Sequence, residues 1–152
     1  MRISKNSVIV ERILTENLLK SCAPLLVEAY NAKPWNDNWS EERALKKIRY
    51  AFEAPRFLGF AAEKNGQYLG CLVGNIEPND QEDYFYLRDM FVAESQRHLG
   101  IGSLLLKNLK VELEKIGIKS ILLFTSSKYQ TSDFYIKNGF KFLDGMCLMY
   151  ID

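Results

Sequence analysis

The sequence predicts an α/β protein with a mixed, mostly antiparallel central sheet, one parallel βαβ crossover and helices on both faces. Three observations lead to this fold class. Asn65-Gly66 lies between two apolar runs, which is the strongest short-range signal of a β-hairpin. Two segments before that hairpin carry apolar residues at helical spacing. Between Tyr84 and Thr125 a strand, a loop, an amphipathic helix and a second strand follow one another, and such a unit forms a right-handed parallel crossover.

The first half of the chain divides into a strand, two helices and the hairpin. An apolar strand spans residues 8–14, and Thr15 caps the helix whose apolar positions run from 18 to 29. Ser40 caps a second helix, which ends before Pro55. The hairpin strands then cover residues 57–63 and 67–74.

The second half alternates strands and helices before it closes with a further hairpin. Strong apolar character predicts a strand at 84–92, and the next helix ends at Gly117. The run at 120–125 is continuously apolar, which is typical of a strand covered on both faces. The predicted elements after residue 92 are helix 100–116, strand 120–125, helix 130–138, and two short strands at 140–143 and 146–150.

Size and composition limit the function classes. A chain of 152 residues, 47% hydrophobic and 26% charged, favours one soluble domain spanning residues 1–152. The formal net charge of +1 argues against nucleic acid or an anionic membrane as a partner.

The cysteines and the N-terminus predict a location. Cys22, Cys71 and Cys147 are widely spaced and odd in number, so we interpret them as reduced thiols rather than a disulfide set or a metal site. Residues 1–6 carry no apolar signal region, and no apolar run approaches the roughly 18 residues of a membrane span. We therefore expect a cytoplasmic protein without a bound metal.

The segment Arg97-His98-Leu99-Gly100-Ile101-Gly102 follows a strand and opens directly into a helix. The first turn of a helix has backbone N–H groups without intrahelical partners, and its dipole favours an anion. Glycines allow the backbone to approach a phosphate closely, and an arginine adds a donor fork. This pattern predicts a pyrophosphate site, although a sharp strand-to-helix turn alone would also use these glycines.

Two other phosphate-binding motifs fit this loop less well. A P-loop requires lysine directly after its last glycine, and Ser103 occupies that position. A dinucleotide-binding fingerprint requires a third glycine where this sequence has Leu105.

Two motifs together resemble one family. Arg97-x-x-Gly100-x-Gly102 resembles the Q/R-x-x-G-x-G/A motif of the GNAT acetyltransferase superfamily. Phe134-Tyr135-Ile136-Lys137-Asn138-Gly139-Phe140 resembles that family's F-Y-x-x-x-G-F segment. The element order agrees from residue 8 to 150, so the resemblance covers nearly the whole chain.

The resemblance implies an N-acetyltransferase that uses acetyl-CoA as co-substrate. Backbone groups of Met90, Phe91 and Val92 would bind the pantetheine arm in an opening between two strands, and a backbone N–H near Met90 or Phe91 would stabilise the oxyanion. The N–H groups from Arg97 to Ser103 would hold the pyrophosphate; these residues are Arg97, His98, Leu99, Gly100, Ile101, Gly102 and Ser103.

The resemblance also implies catalytic roles. Tyr135 matches the general-acid tyrosine that protonates the departing thiolate, with a merely packed aromatic as the alternative. For the base, Asp89 lies on the strand beside the opening; Glu82 or Asp83 acting through water, or His98, are the alternatives.

The acceptor side is predicted from a second aromatic segment. Trp35, Asp37 and Trp39 lie between the first two helices, where two indoles and a carboxylate form a cation-attracting pocket or simply attach the loop to the core. The sequence leaves a peptide or protein amine, a polyamine and an amino sugar open as acceptors. The resemblance also implies a homodimer formed through the last strands. A non-catalytic acyl-CoA sensor and a purely structural domain are the alternative functions.

Overall fold

A computed structural model describes residues 7–152 of the chain. The N-terminal residues 1–6, on which the absence of a signal region was predicted, lie outside the described part. The elements are β1 (Ile9–Arg12), α1 (Glu16–Asn31), α2 (Glu41–Glu53), β2 (Phe57–Lys64), β3 (Gln67–Glu77), β4 (Tyr84–Val92), α3 (Ile101–Lys115), β5 (Ile121–Leu122) and α4 (Thr131–Lys137), with a short 3₁₀ turn at Glu94–Gln96.

The local sequence signals of the first half are confirmed. Thr15 Oγ1 accepts a hydrogen bond from the Leu18 N–H at 3.2 Å, and Ser40 Oγ accepts one from the Arg43 N–H at 3.2 Å. Asn65 and Gly66 have φ of 53° and 81°, which the tight β2–β3 hairpin requires. These caps and this turn fix where α1, α2 and the hairpin begin.

The five strands form one sheet in the order β1-β2-β3-β4-β5. All neighbours are antiparallel except β4 and β5, which are parallel, as the crossover predicts. Helices α1 and α2 cover one face with a core that includes Leu19, Leu26 and Ile48. Helix α3 covers the other face through Leu105 and Leu109. The predicted fold class, with helices on both faces, is therefore confirmed.

A β-bulge in β4 decides which face its side chains reach. Val73 pairs with Asp89 and Gly74 pairs with Leu87, so Arg88 has no partner residue on β3. Before the bulge, Leu87 points into the core beneath α3. After it, Phe91 belongs to the core beneath α1 and α2. The extra residue shifts the alternation by one and turns Asp89 toward α1 and α2.

Two predictions for the C-terminal third are wrong. The strands predicted at 140–143 and 146–150 do not form: in residues 7–152 no strand follows β5, and this segment joins no ladder of the sheet. The strand predicted at 120–125 is reduced to Ile121–Leu122. It is half-buried rather than covered on both faces, because it lies at the edge of the sheet.

Among residues 7–152, no helix has both the length and the apolar character needed to cross a membrane. The same residues contain no group of three or more His, Cys, Asp or Glu side chains arranged to hold a metal ion.

Candidate active site

A cleft of about 1680 Å³ opens between the end of α1, β4, the start of α3 and α4. It exists because β4 and β5 diverge: within the described chain β5 pairs only with Phe85 and Tyr86. From Leu87 to Val92 the edge of β4 that faces away from β3 has no strand partner. Backbone groups there are free for an extended ligand, at the place where the resemblance puts the pantetheine arm.

The loop before α3 forms one end of the cleft. Gly100 is the N-cap residue of α3 with a φ of 82°, and His98 also has a positive φ of 63°. The Leu104 N–H donates to the Gly100 oxygen, so the N–H groups of Ile101, Gly102 and Ser103 precede the first intrahelical bond. Unpaired N–H groups beside left-handed residues favour an anion.

Gly100 and Gly102 are required for different structural reasons. Nothing lies within 4 Å of a Cβ built on Gly100, so its positive φ is what requires glycine. A Cβ on Gly102 would lie 2.9 Å from Phe134 Cζ, so this glycine allows the α4 ring to pack on α3. The sequence motif predicts that both glycines make room for phosphate. At Gly102 the structure shows that the room is used by the Phe134 ring.

Arg97 departs from the expected phosphate role of its side chain. Its guanidinium donates to the backbone oxygens of Lys33 at 2.5 Å and Ala29 at 2.6 Å. Its own N–H donates to the Glu94 oxygen. Arg97 thus connects the loop to the end of α1, while the side chain of Leu99 is 68% exposed and does not line the cleft.

On the side of α1 and α2 the cleft has an acceptor wall, which we define as Tyr30, Trp35, Asp37, Trp39, Lys47 and Asp89. Its rings pack against one another: Trp35 lies 6.1 Å from Tyr30 between ring centroids, and Trp39 lies 6.5 Å from Tyr30. The Trp39 indole N–H donates to Asp37 Oδ2 at 3.0 Å.

The loop that carries the wall is attached by Asn31. Its side chain donates to the Trp39 oxygen at 2.9 Å and accepts from the Trp39 N–H at 2.7 Å. The sequence therefore identified a segment that does face the cleft, but it missed Tyr30 and Lys47. A sequence signal exists for Lys47, which lies three residues after the buried Ala44 and thus beside the buried stripe of α2.

Asp89 is the buried carboxylate of the site, with 8% of its surface exposed. The Tyr30 hydroxyl donates to its Oδ1 at 3.1 Å, and the Lys47 ammonium lies 3.6 Å from its Oδ2. Burial raises the pKa of Asp89, while the Lys47 ammonium and the Tyr30 hydroxyl counteract that rise. A carboxylate with a raised pKa in a cleft suits general base catalysis.

Tyr135 lies on α4 and lines the same cleft. Its ring packs edge-on against Phe134 at 5.2 Å and Phe140 at 5.4 Å. Burial and the nearby Asp89 carboxylate raise the pKa of Tyr135 to about 12. The phenol is therefore protonated near neutral pH and can act as a donor.

The other bases considered from the sequence lie elsewhere or on the loop. Glu82 pairs with Lys119 at 2.6 Å, and Asp83 pairs with Arg56, both outside the cleft. His98 lines the cleft as an exposed loop residue. The structure brings Asp89, Tyr135 and the loop together and leaves Glu82 and Asp83 out.

Comparison with known proteins places the chain in a family. The family model described as "Acetyltransferase (GNAT) family" matches residues 18–140. No curated protein compared with the chain matches it significantly.

Solved structures share the fold at low sequence identity. An integron cassette protein from the mobile metagenome of V. cholerae is 20% identical with a TM-score of 0.79, over 96% of this chain and 93% of that one. The aminoglycoside N-acetyltransferase AAC(6')-Iy, solved in complex with CoA, is 17% identical with a TM-score of 0.75, over 97% and 95%. An aminoglycoside acetyltransferase from an uncultured soil metagenomic sample, solved with sisomicin, is 16% identical with a TM-score of 0.73, over 95% of each chain.

Proposed function

Because the chain belongs to the GNAT acetyltransferase family, we propose that it transfers an acetyl group from acetyl-CoA to a primary amine. The observation that carries this proposal is one cleft in which the free edge of β4, the α3 loop, Asp89 and Tyr135 meet. We also propose that residues 1–152 form one such domain. A CoA complex of a structural neighbour supports the choice of acyl donor.

In the proposed binding mode the cofactor lies along the loop and the strand. The N–H groups at Ile101, Gly102 and Ser103 bind the pyrophosphate, together with the positive end of α3. The free edge at Met90, Phe91 and Val92 pairs with the pantetheine amides. This directs the thioester toward Asp89 and the acceptor wall.

In the proposed reaction Asp89 takes a proton from the acceptor ammonium, and the amine nitrogen then attacks the thioester carbonyl. A backbone N–H near Met90 or Phe91 stabilises the oxyanion. The new C–N bond forms, the C–S bond breaks, and the CoA thiolate takes the proton of the Tyr135 phenol. The second proton of the acylated nitrogen passes to the Tyr135 phenolate, which leaves a neutral amide and restores the phenol. The phenol is protonated near neutral pH, so the proton is in place before the thiolate leaves.

An assay for released CoA thiol across a panel of amines tests the proposal. Tyr135→Phe should lose about 100-fold in kcat and keep its affinity for acetyl-CoA by calorimetry. Tyr50→Phe, an exposed tyrosine on α2, is the matched control and should behave as wild type.

Two results would contradict parts of this proposal. Absence of acetyl-CoA binding at high micromolar concentration would remove both the transferase and the sensor functions. Binding without turnover of any amine, unchanged in Tyr135→Phe, would favour the non-catalytic sensor.

We further propose a homodimer formed through the C-terminal arm, residues 140–152. The arm exposes large apolar side chains, between 61% and 90% each: Phe142, Leu143, Met146, Leu148, Met149, Tyr150 and Ile151. At roughly 100 Å² each, these seven side chains offer about 700 Å² per copy, close to the ~800 Å² per partner of a stable interface. The half-exposed edge strand β5 is the surface that the arm of a second copy would cover.

Light scattering after gel filtration tests the dimer. Wild type should elute as a dimer, and the double variant Met149→Glu, Ile151→Glu should elute as a monomer. Val111→Glu, at an exposed apolar position of α3, should remain dimeric. A monomeric wild type at micromolar concentration would overturn this proposal.

We propose the cytoplasm as the location. The thiols of Cys22 and Cys71 are both buried and free, and Cys147 is exposed and free. Unpaired thiols are typical of a reducing compartment.

A further inference from the structure

The acceptor wall already contains a cation, and the chain itself supplies it. Lys47 extends from α2 into the cleft, where its ammonium lies 3.6 Å from Asp89 Oδ2. The same ammonium lies 5.8 Å from the centroid of the Trp39 ring, in the position of a cation–π contact. The carboxylate and the indole face that would attract a charged ligand are therefore both occupied by Lys47.

The second carboxylate of the wall is also engaged from within the protein. Asp37 accepts the Trp39 indole N–H at 3.0 Å, and the Tyr30 hydroxyl donates to Asp89. The lining of the cleft carries three carboxylates, Asp37, Asp89 and Asp133, against six cations: Lys33, Lys47, Arg88, Arg97, Lys128 and Lys137. Of these cations, Arg88 also pairs with Glu77 at 3.4 Å. The cleft thus has no surplus of negative charge.

The uncharged part of the wall is aromatic. Trp35 packs edge-on against Tyr129 at 5.3 Å, and Tyr30 packs on Phe91 at 6.0 Å. Such surfaces bind a planar or apolar body by burial and ring contact. Lys47 is 40% exposed at its side chain, so it can move toward solvent when an ammonium approaches Asp89.

Resting on the acetyltransferase function proposed above, we propose that Lys47 restricts the acceptor to amines with a single positive charge and an apolar body. One ammonium can replace Lys47 beside Asp89. Every additional ammonium of a polycation meets the Lys47 charge a few ångströms away, in a cleft whose lining carries more cations than carboxylates. Polyamines and aminoglycosides, which carry several amines, are therefore poor ligands of this cleft, in contrast to the structural neighbour that was solved with sisomicin.

Amine binding can be measured separately from turnover, because both tryptophans of the chain lie in the wall. The quenching of their fluorescence in the presence of CoA reports the affinity for phenethylamine, a singly charged arylalkyl amine, and for spermidine, which carries three charges. Wild type should prefer phenethylamine. Lys47→Met should bind spermidine about tenfold more tightly and should change phenethylamine affinity by less than about threefold.

Two variants separate charge from fold. Lys47→Arg keeps the positive charge and should keep the preference of wild type. Lys46→Met removes an exposed charge from the same helix and should leave both affinities unchanged. Melting temperatures show whether all variants are folded before the affinities are compared.

The inference is overturned if wild type binds spermidine as tightly as phenethylamine, if Lys47→Met raises both affinities equally, or if neither amine binds to either protein. Failure of the acetyltransferase function has a different signature. Amines would bind with the expected preference, but no CoA thiol would be released from acetyl-CoA with any of them.

Discussion

The loop at residues 97–103 and the acceptor wall face the same cleft, but they are stabilised by different means. The loop depends on backbone conformation: a left-handed Gly100 and free N–H groups at the start of α3. The wall depends on side chains from α1, α2 and β4 that meet across long stretches of sequence, such as Tyr30 with Asp89. The loop can therefore be predicted from a short sequence motif, whereas the acceptor wall depends on tertiary packing. Substitutions at each end should therefore affect different measurements.

The largest effect is expected from Asp89→Asn. If Asp89 is the base, kcat/KM for the amine should fall by about 10²- to 10⁴-fold, and the affinity for acetyl-CoA should not change. Because burial raises the folded-state pKa of Asp89, its ionised form opposes folding at neutral pH, and the melting temperature should not fall. Asp133→Asn, an exposed carboxylate of the same cleft, is the control. Equal activity of the two variants would remove Asp89 as the base.

Gly100→Ala tests the loop by itself. Alanine at a φ of 82° costs about 1–2 kcal/mol, and the strained loop should bind acetyl-CoA about tenfold more weakly by calorimetry. Gly117→Ala is matched, since its φ is 77° and it also has open space around a Cβ. The control should lose similar stability and retain its acetyl-CoA affinity. The same acetyl-CoA affinity in both variants would contradict the proposed pyrophosphate site at the start of α3.

Arg97→Ala tests the connection between the two ends. The variant loses donors to the Ala29 and Lys33 oxygens, so the unfolding free energy should fall by about 1–2 kcal/mol. KM for the amine should rise several-fold, with KM for acetyl-CoA changed by less than about twofold. Arg43→Ala, exposed on α2, serves as the comparison. A selective loss of acetyl-CoA affinity would instead return Arg97 to the phosphate role predicted from the motif.

The smallest effect is a shift in pH dependence. Lys47 lowers the pKa of Asp89, so Lys47→Met should raise that pKa, and the base would then be protonated up to a higher pH. The acid limb of kcat/KM for one fixed amine should move upward by less than about one pH unit. Lys46→Met should leave the limb in place. An acid limb that stays in place or moves to lower pH would contradict the effect of Lys47 on the pKa of Asp89.

Particular residues show how far sequence patterns reach. Thr15, Ser40 and Asn65-Gly66 were assigned correctly because each acts on backbone groups within three residues. Arg97 was assigned to phosphate because its motif says nothing about where a long side chain turns, and its two acceptors lie more than 60 residues away. The strands at 140–143 and 146–150 were predicted from apolar composition, but a strand also needs pairing with a neighbour, and in the described chain this segment pairs with no strand.

The sequence by itself determined the order of helices and strands from β1 to α4, the family, and the loop that starts α3, because periodicity, caps and glycines act locally on the backbone. The tertiary structure decided where Asp89 points, since one unpaired residue at Arg88 shifts the alternation of β4 by one. It also decided that Lys47 lies against Asp89 and Trp39. These contacts join α2, β4 and the connecting loop, and no local pattern records which distant side chain will lie opposite a buried charge.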